Sequence, residues 1–171
     1  MSDAIRQWVE SETGLTTIWL HPNAPRPDRP YAGLQILNVS RLGDPVRGDV
    51  NEDGESELQM ERELTVSVNI HESSDNADPR SALETATDLR DSLDALSVLE
   101  PLRAGGFAFR GVELLADTPT ALETSWEPRA TFDVRFGTTK TRIDDLGVVE
   151  KVVFDGTVED IEFEFIAQTE D

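Results

Sequence analysis

The hexapeptide D-V-N-E-D-G at residues 49–54 has the spacing in this chain best suited to holding a cation. Asp49, Asn51 and Asp53 alternate, and Gly54 follows where a sharp turn is needed. That is the first half of a calcium-binding loop, in which alternate side-chain oxygens surround the ion. The second half departs from the pattern: the bidentate acid required at the twelfth position falls on Met60. Asp49, Asn51 and Asp53 are therefore metal candidates on a half-motif, and the competing reading is a solvated acidic loop. The rest of the chain is sparser in chemistry. His21 stands beside Pro22 and His71 ends an apolar-alternating run; neither belongs to an HExxH or triad-like signature. There is no phosphate loop, GxGxxG or GxSxG. Asp144-Asp145 and Glu159-Asp160 carry little information among 35 acidic residues, and read as solvated loops rather than as a two-metal site. No catalytic residue and no cofactor is expected, so the chain does not read as an enzyme. The reading from a different class is a small cation-binding module or enzyme built on the acidic 49–54 loop.

Length and charge narrow the setting. The 171 residues suffice for one domain with a real core, and there is no cysteine, which removes disulfides, thiolate nucleophiles and cysteine metal sites. No apolar run approaches a membrane span. Residues 1–10 lack the basic start and apolar core of a signal peptide, so a soluble, unexported product is expected. The formal charge is −20, and the 15 basic residues are thirteen Arg with only Lys140 and Lys151. Such a surface repels itself and repels nucleic acid in ordinary salt; no basic, aromatic-interleaved patch offsets this. At about 1 M salt the Debye length shrinks to roughly 3 Å and the repulsion fades. Dense acid with scarce Lys is the composition expected in halophilic cytoplasm. An ordinary acidic protein is the alternative, but it leaves the scarcity of Lys unexplained.

The elements that would position any site follow from periodicity. Ser125 to Thr138 is the central strand: Trp126, Ala130, Phe132, Val134 and Phe136 are apolar, and Glu127, Arg129, Thr131, Asp133 and Arg135 are polar. This alternation predicts one face on a core and one toward water. Pro128 cannot donate to a ladder, so full pairing is expected only after it. Residues 2–13 predict a short helix capped by Ser2 or Asp3, with Ile5, Trp8 and Val9 on one face and Thr13-Gly14 at its end. A short strand over 16–21 leads into H-P-N-A-P-R-P-D-R-P-Y, whose four prolines predict a stiff extended crossover; a PxxP-type ligand is the other meaning of such a run.

Strands over 31–42 and 57–71 are expected to pair as a long hairpin across a protruding acidic loop at 43–56. Asp78 and Pro79, or Ser81 with Glu84, can open the main helix. Its stripe is Ala82, Ala86, Leu89, Leu93 and Leu96, and it is expected to stop near Ser97 or bend into a short turn before Pro101. Strands follow over 107–115, 147–154 and 158–166, with Asp155-Gly156 as a hairpin turn inside a C-terminal hairpin and acidic tail at 155–171. The expected fold is a single α+β domain over 1–171: an antiparallel or mixed β-sheet with long hairpins packed on one main α-helix, plus the short N-terminal helix.

Three blocks in this order carry a resemblance. They are T-G-L-T-T-I-W-L with R-P-D-R-P-Y (13–31), the capped helix at 78–97, and W-E-P-R-A-T-F-D-V-R-F followed by G-V-V-E-K-V. Together they make most of the chain similar to the neck or tail terminator proteins of long-tailed viruses; the 43–56 loop and the ending after Asp155 depart from that likeness. The resemblance implies a structural virion protein made in the host cytoplasm and placed at the head–tail junction. It implies a ring, usually a hexamer, that ends the tail tube and meets the head-side connector, without catalysis or cofactor. Its partners would be other copies of itself, the tail tube protein and a head-completion protein, with DNA passing through unbound and no membrane. Subunit or partner contacts would involve Pro27, Pro30, Tyr31, Glu127 and Arg129; for Arg129 beside Glu127 on the polar face of the central strand, the competing reading is an intrachain surface pair of little energetic worth. With the salt-adapted composition, the virus would infect a halophilic archaeon. Within the same class the alternatives are a head-completion connector and a baseplate subunit at the tube end.

Overall fold

The computed structural model describes residues 3–21, 23, 25–73, 81–121, 126–148, 151–158 and 161–168, the last two segments as backbone only. The elements in chain order are α1 (Ala4–Thr13), β1 (Thr16–Trp19), β2 (Tyr31–Arg41), β3 (Val46–Val50), β4 (Glu55–His71) and α2 (Ser81–Asp91). After a 3-10 turn at Ser92–Asp94 come α3 (Leu96–Ala104), β5 (Ala108–Val112), β6 (Ala116–Asp117), β7 (Thr120–Ala121) and β8 (Trp126–Glu127). The chain continues with β9 (Arg129–Asp145), β10 (Lys151–Val158) and β11 (Ile161–Gln168). By contacts it divides into two compact units, residues 1–44 with 60–140 and residues 45–59 with 141–171.

The main sheet has seven strands in the order β1-β2-β4-β9-β5, with β3 also on β4 and β6 also on β9. It is mixed. β1 and β2 are parallel, Thr16 opposite Tyr31, and parallel neighbours need a crossover connection. The proline-rich segment is that crossover, as expected. β2 and β4 are antiparallel, from Tyr31 opposite His71 to Arg41 opposite Arg62, with a bulge between Ile36 and Asn38. Beside β4, the Glu72 N–H donates to the Pro128 carbonyl at 3.1 Å. Ser67 Oγ also meets Thr131 Oγ1 at 3.3 Å, so β4 and β9 run in opposite directions.

The expectation of one main helix packed on hairpins is overturned: among the described residues strand dominates, and the helical layer is three short helices. Ser92 explains the interruption. Its hydroxyl donates to Leu89 O at 2.7 Å and accepts from Trp8 Nε1 at 3.0 Å, offering the backbone an alternative to the helical ladder. Ala95 is extended, and its carbonyl takes the N–H groups of Val98 and Leu99 to start α3. Ala82, Ala86, Leu89 and Leu93 are buried as the stripe requires, but Leu96, beyond the break, is 65% exposed. The expected bend into a short turn before Pro101 is the 3-10 turn at Ser92–Asp94, after which a separate helix, α3, carries Pro101 inside it. Ser81 begins α2 with its Oγ unpartnered among the described residues, so no capping box forms there; Asp78 and Pro79 lie outside the described residues. In α1, Gly14 is left-handed and its N–H caps Glu10 O, while Asp3 Oδ1 accepts from Arg6 Nε at 3.1 Å rather than capping the backbone.

One face of the sheet in the first unit carries the core. Ala32 and Leu34 of β2, Leu64, Val66, Val68 and Ile70 of β4, and Ala130, Phe132, Val134 and Phe136 of β9 are all buried with the apolar stripes of α1, α2 and α3. The even-numbered face expected of the central strand is therefore correct from Ala130 onward. It fails at Trp126, which is 67% exposed, while Glu127 is buried. The break falls at Pro128, as a residue without an N–H would predict: β8 leaves the main sheet and pairs with β7, Thr120 opposite Glu127. Parity then restarts in β9 with the opposite phase.

Half of the expected 43–56 loop is strand. β3 folds back on the first residues of β4, Val46 opposite Gln59 and Val50 opposite Ser56. Asn51 Oδ1 accepts from Glu55 N at 2.8 Å and closes the turn. Gly54 has φ +77°, and a Cβ there would lie 2.5 Å from the Gly147 carbonyl. β10 and β11 form an antiparallel hairpin in which Asp155 pairs with Glu164 and Gly156 with Phe163. The turn is thus not at Asp155-Gly156; the ladder runs on to Val158 opposite Ile161.

Candidate functional site

The polar face of the sheet in the first unit is not simply wet. Tyr31, Ser67, Asn69 and His71 are buried there, together with Glu127. Leu20, just past β1, continues the β1–β2 ladder with its N–H donating to Leu34 O, and its side chain lies over Gly33, where a Cβ would come within 2.9 Å of it. Glycine at 33 leaves room for the Leu20 side chain on this face.

The strand register assembles the cluster. Tyr31 opens β2 directly opposite His71, the last residue of β4, and their rings stack with centroids 4.5 Å apart and planes 12° apart. The hydrogen bond from Glu72 to Pro128 holds the end of β4 against the β8–β9 junction, bringing Glu127 to the imidazole. His71 Nδ1 lies 2.9 Å from Glu127 Oε1, and Arg29 Nη2 lies 2.7 Å from Glu127 Oε2. One buried carboxylate therefore joins β4, β8 and the crossover. Arg129, expected beside Glu127, instead donates to Asn69 Oδ1 on β4.

Burial is the leading cause that holds His71 below the ordinary imidazole value; the Glu127 hydrogen bond opposes it, and the Arg129 charge adds to it. Uncharged imidazole donating Nδ1–H to a carboxylate leaves Nε2 as an acceptor. That atom and the Tyr31 hydroxyl are buried without a partner among the described residues. The imidazole is thus sealed between a tyrosine ring and a carboxylate, and the arrangement ties the crossover to the sheet through a charge-assisted contact.

Of the residues singled out in the sequence, Tyr31 and Glu127 meet in this cluster, and their contacts in the structure are internal. Arg129 is half-buried two residues on, at the start of β9, Pro27 is half-buried on the crossover, and Pro30 is exposed after a cis Arg29–Pro30 peptide. In the second unit, Asp49 and Asp53 are exposed, and Asn51 is occupied by Glu55. Among the described residues no group of three or more His, Asp or Glu side chains is placed to hold a metal ion. Sequence reasoning missed Arg29 and Asn69, and set His71 aside for want of a catalytic signature. Arg29 was within reach, since it lies inside the R-P-D-R-P-Y block, but nothing in a linear sequence pairs it with Glu127 across 98 positions.

The family model for phage neck terminator proteins matches residues 1–167, nearly the whole chain. The chain belongs to that family. No curated protein matches it. The match takes in both units, including the 43–56 segment and most of the C-terminal hairpin. As a phage neck protein the chain has a structural role in the virion, where it meets other head or tail proteins. Among the described residues no helix is long and apolar enough to cross a membrane. The crossover cluster is then a feature of a neck component, and the conformation it fixes is that of a connection carrying the exposed Pro30 at its end.

Proposed function

We propose that this neck terminator works as a closed ring of identical copies, six in number, that ends the tail tube and joins it to the head-side connector. The family match over residues 1–167 is the observation that carries this reading. Heterologous contacts between identical subunits generate rings when the rotation closes. The ring acts by contact, without catalysis or cofactor, and DNA passes through it without specific binding, since a chain of charge −20 does not grip phosphates. Pro27 and Pro30, held on the anchored crossover, are offered to a neighbouring copy or to the tail tube. The host is a halophilic archaeon, on the strength of the acid-rich, Lys-poor composition.

Closure in molar salt rests on apolar contact and short hydrogen bonds, because long-range attraction is screened. The purified protein is therefore expected as a monomer or weak oligomer that rings stably only on the tail. Electron micrographs of particles lacking the chain test the reading. Tails of uncontrolled length or tails detached from heads are expected; normal, correctly joined particles would end it. Circular dichroism across a salt series tests the halophilic part, and equal melting in dilute and molar salt would remove it.

A further inference from the structure

Edge strands in soluble proteins are normally guarded by charge, because an open row of N–H and C=O groups invites another strand. At the two ends of this sheet's main path the charges are basic, Arg41 in β2 and Arg110 in β5, and acid is missing. Acids are 35 of the 171 residues, yet none occurs in residues 14–27, 29–43 or 101–112. Those stretches contain β1, β2 and β5, the outer strands in the order β1-β2-β4-β9-β5. The acids lie in the inner strands, Glu55, Glu57, Glu61 and Glu63 in β4 and Asp133, Asp144 and Asp145 in β9, and on the short flanking strands, Asp49 in β3 and Asp117 in β6.

Both ends of the sheet are also open. β1 covers β2 only over Tyr31–Leu34, so Gln35–Arg41 has no strand on its outer side among the described residues. Leu37 and Val39 there are half exposed. At the other end β5 pairs, among the described residues, with β9 alone, and the exposed Leu114 follows it.

We propose that the open edge of β2, Gln35–Arg41, pairs with the open edge of β5, Ala108–Val112, of a second copy. This rests on the ring reading above and names its contact. The two edges are unlike and lie at opposite ends of one sheet, so the contact is head-to-tail and each copy uses both, as a closing ring requires. A different protein docking on the sheet would need only one bare edge. Backbone ladder bonds and apolar side chains also keep their strength when salt screens charge, and an edge without carboxylates removes the repulsion that two chains of charge −20 would otherwise meet there.

The absence of native cysteine permits a direct test. Asn38→Cys on β2 and Ala108→Cys on β5, both at exposed positions, are supplied singly, mixed and combined to particles lacking the native chain, and the necks are treated with a short bismaleimide. Dimers from the mixture and a ladder up to the full ring from the combined variant are expected, with neither single variant linking to itself. Linking by Asn38→Cys alone would mean a symmetric β2–β2 contact and would overturn the proposal. Rings visible in micrographs but never linked would overturn it while leaving the ring reading intact; no ring with the unsubstituted chain would sink the ring reading itself. Val39→Glu provides a second arm. It should leave the circular dichroism and melting of the monomer unchanged and weaken association on the order of tenfold or more. Wild-type association by this variant would refute the edge contact.

Discussion

Arg29→Ala should be costlier than Glu127→Gln, although both break the same ion pair. The difference comes from what each change leaves behind. The Glu127 side chain is 6% exposed and that of Arg29 is 33% exposed. Removing Arg29 strands a buried carboxylate whose Oε2 has lost its partner, with only the His71 contact at 2.9 Å remaining. Breaking a buried pair this way costs about 3–5 kcal/mol. The lower end, about 3 kcal/mol, applies here because water can enter where the partly exposed guanidinium lay. Glu127→Gln leaves a cation that can turn to solvent, and its amide oxygen still accepts from His71. The loss is one charge-assisted hydrogen bond, about 1.5–3 kcal/mol, offset by the carboxylate no longer having to be desolvated; about 1.5 kcal/mol remains. The double variant should lie near Glu127→Gln alone rather than near the sum, since the groups share one contact. Urea unfolding followed by circular dichroism at pH 7 and fixed salt measures all three. A loss under about 0.5 kcal/mol for Arg29→Ala, or Glu127→Gln costing as much as Arg29→Ala, would refute the buried-carboxylate reasoning.

Three further outcomes are expected. Phe132→Ala should destabilise by about 3–5 kcal/mol because its ring is fully buried in the core. Thr131→Ala, losing a hydroxyl contact to Ser67 at 3.3 Å, should cost about 1 kcal/mol; equal losses in denaturant titrations would mean the faces are misassigned. His71, held below its ordinary value chiefly by burial, takes up its proton more readily in the unfolded chain. Its contribution is therefore complete above the ordinary imidazole value and falls as pH drops below it, by at most about 1.4 kcal/mol per pH unit for one proton. Unfolding free energies measured from pH 7 downward should fall more steeply in the native chain than in His71→Gln, and parallel curves would contradict this. Gly54→Ala should cost more than Gly43→Ala in thermal melts. Both have positive φ, a strain of about 1–3 kcal/mol for alanine, but only Gly54 also meets backbone within 2.5 Å, whereas Gly43 faces open space. Equal losses would show that the turn can move away from Gly147.

The sequence alone determined the local elements and their faces. Ile5, Trp8 and Val9 on α1, Ala82 to Leu93 on the helical stripe, and Ala130 to Phe136 on the central strand are buried as their spacing demands, because period and apolarity are properties of neighbours along the chain. The proline run likewise declared a crossover, since four fixed φ angles leave few alternatives, and the ordered blocks around it were enough to suggest the neck terminator family.

Tertiary structure decided the rest. The helix broke at Ala95 because Ser92 is held by Trp8, 84 residues away. Trp126 and Glu127 exchanged the faces their alternation assigned, since Pro128 ended one ladder and Glu127 found Arg29 and His71. The D-V-N-E-D-G segment became a hairpin turn because Asn51 met Glu55 and Gly54 met Gly147. A buried ion pair forms only where strand register cancels its desolvation, and register is set between distant segments, so no local pattern of residue types contains it.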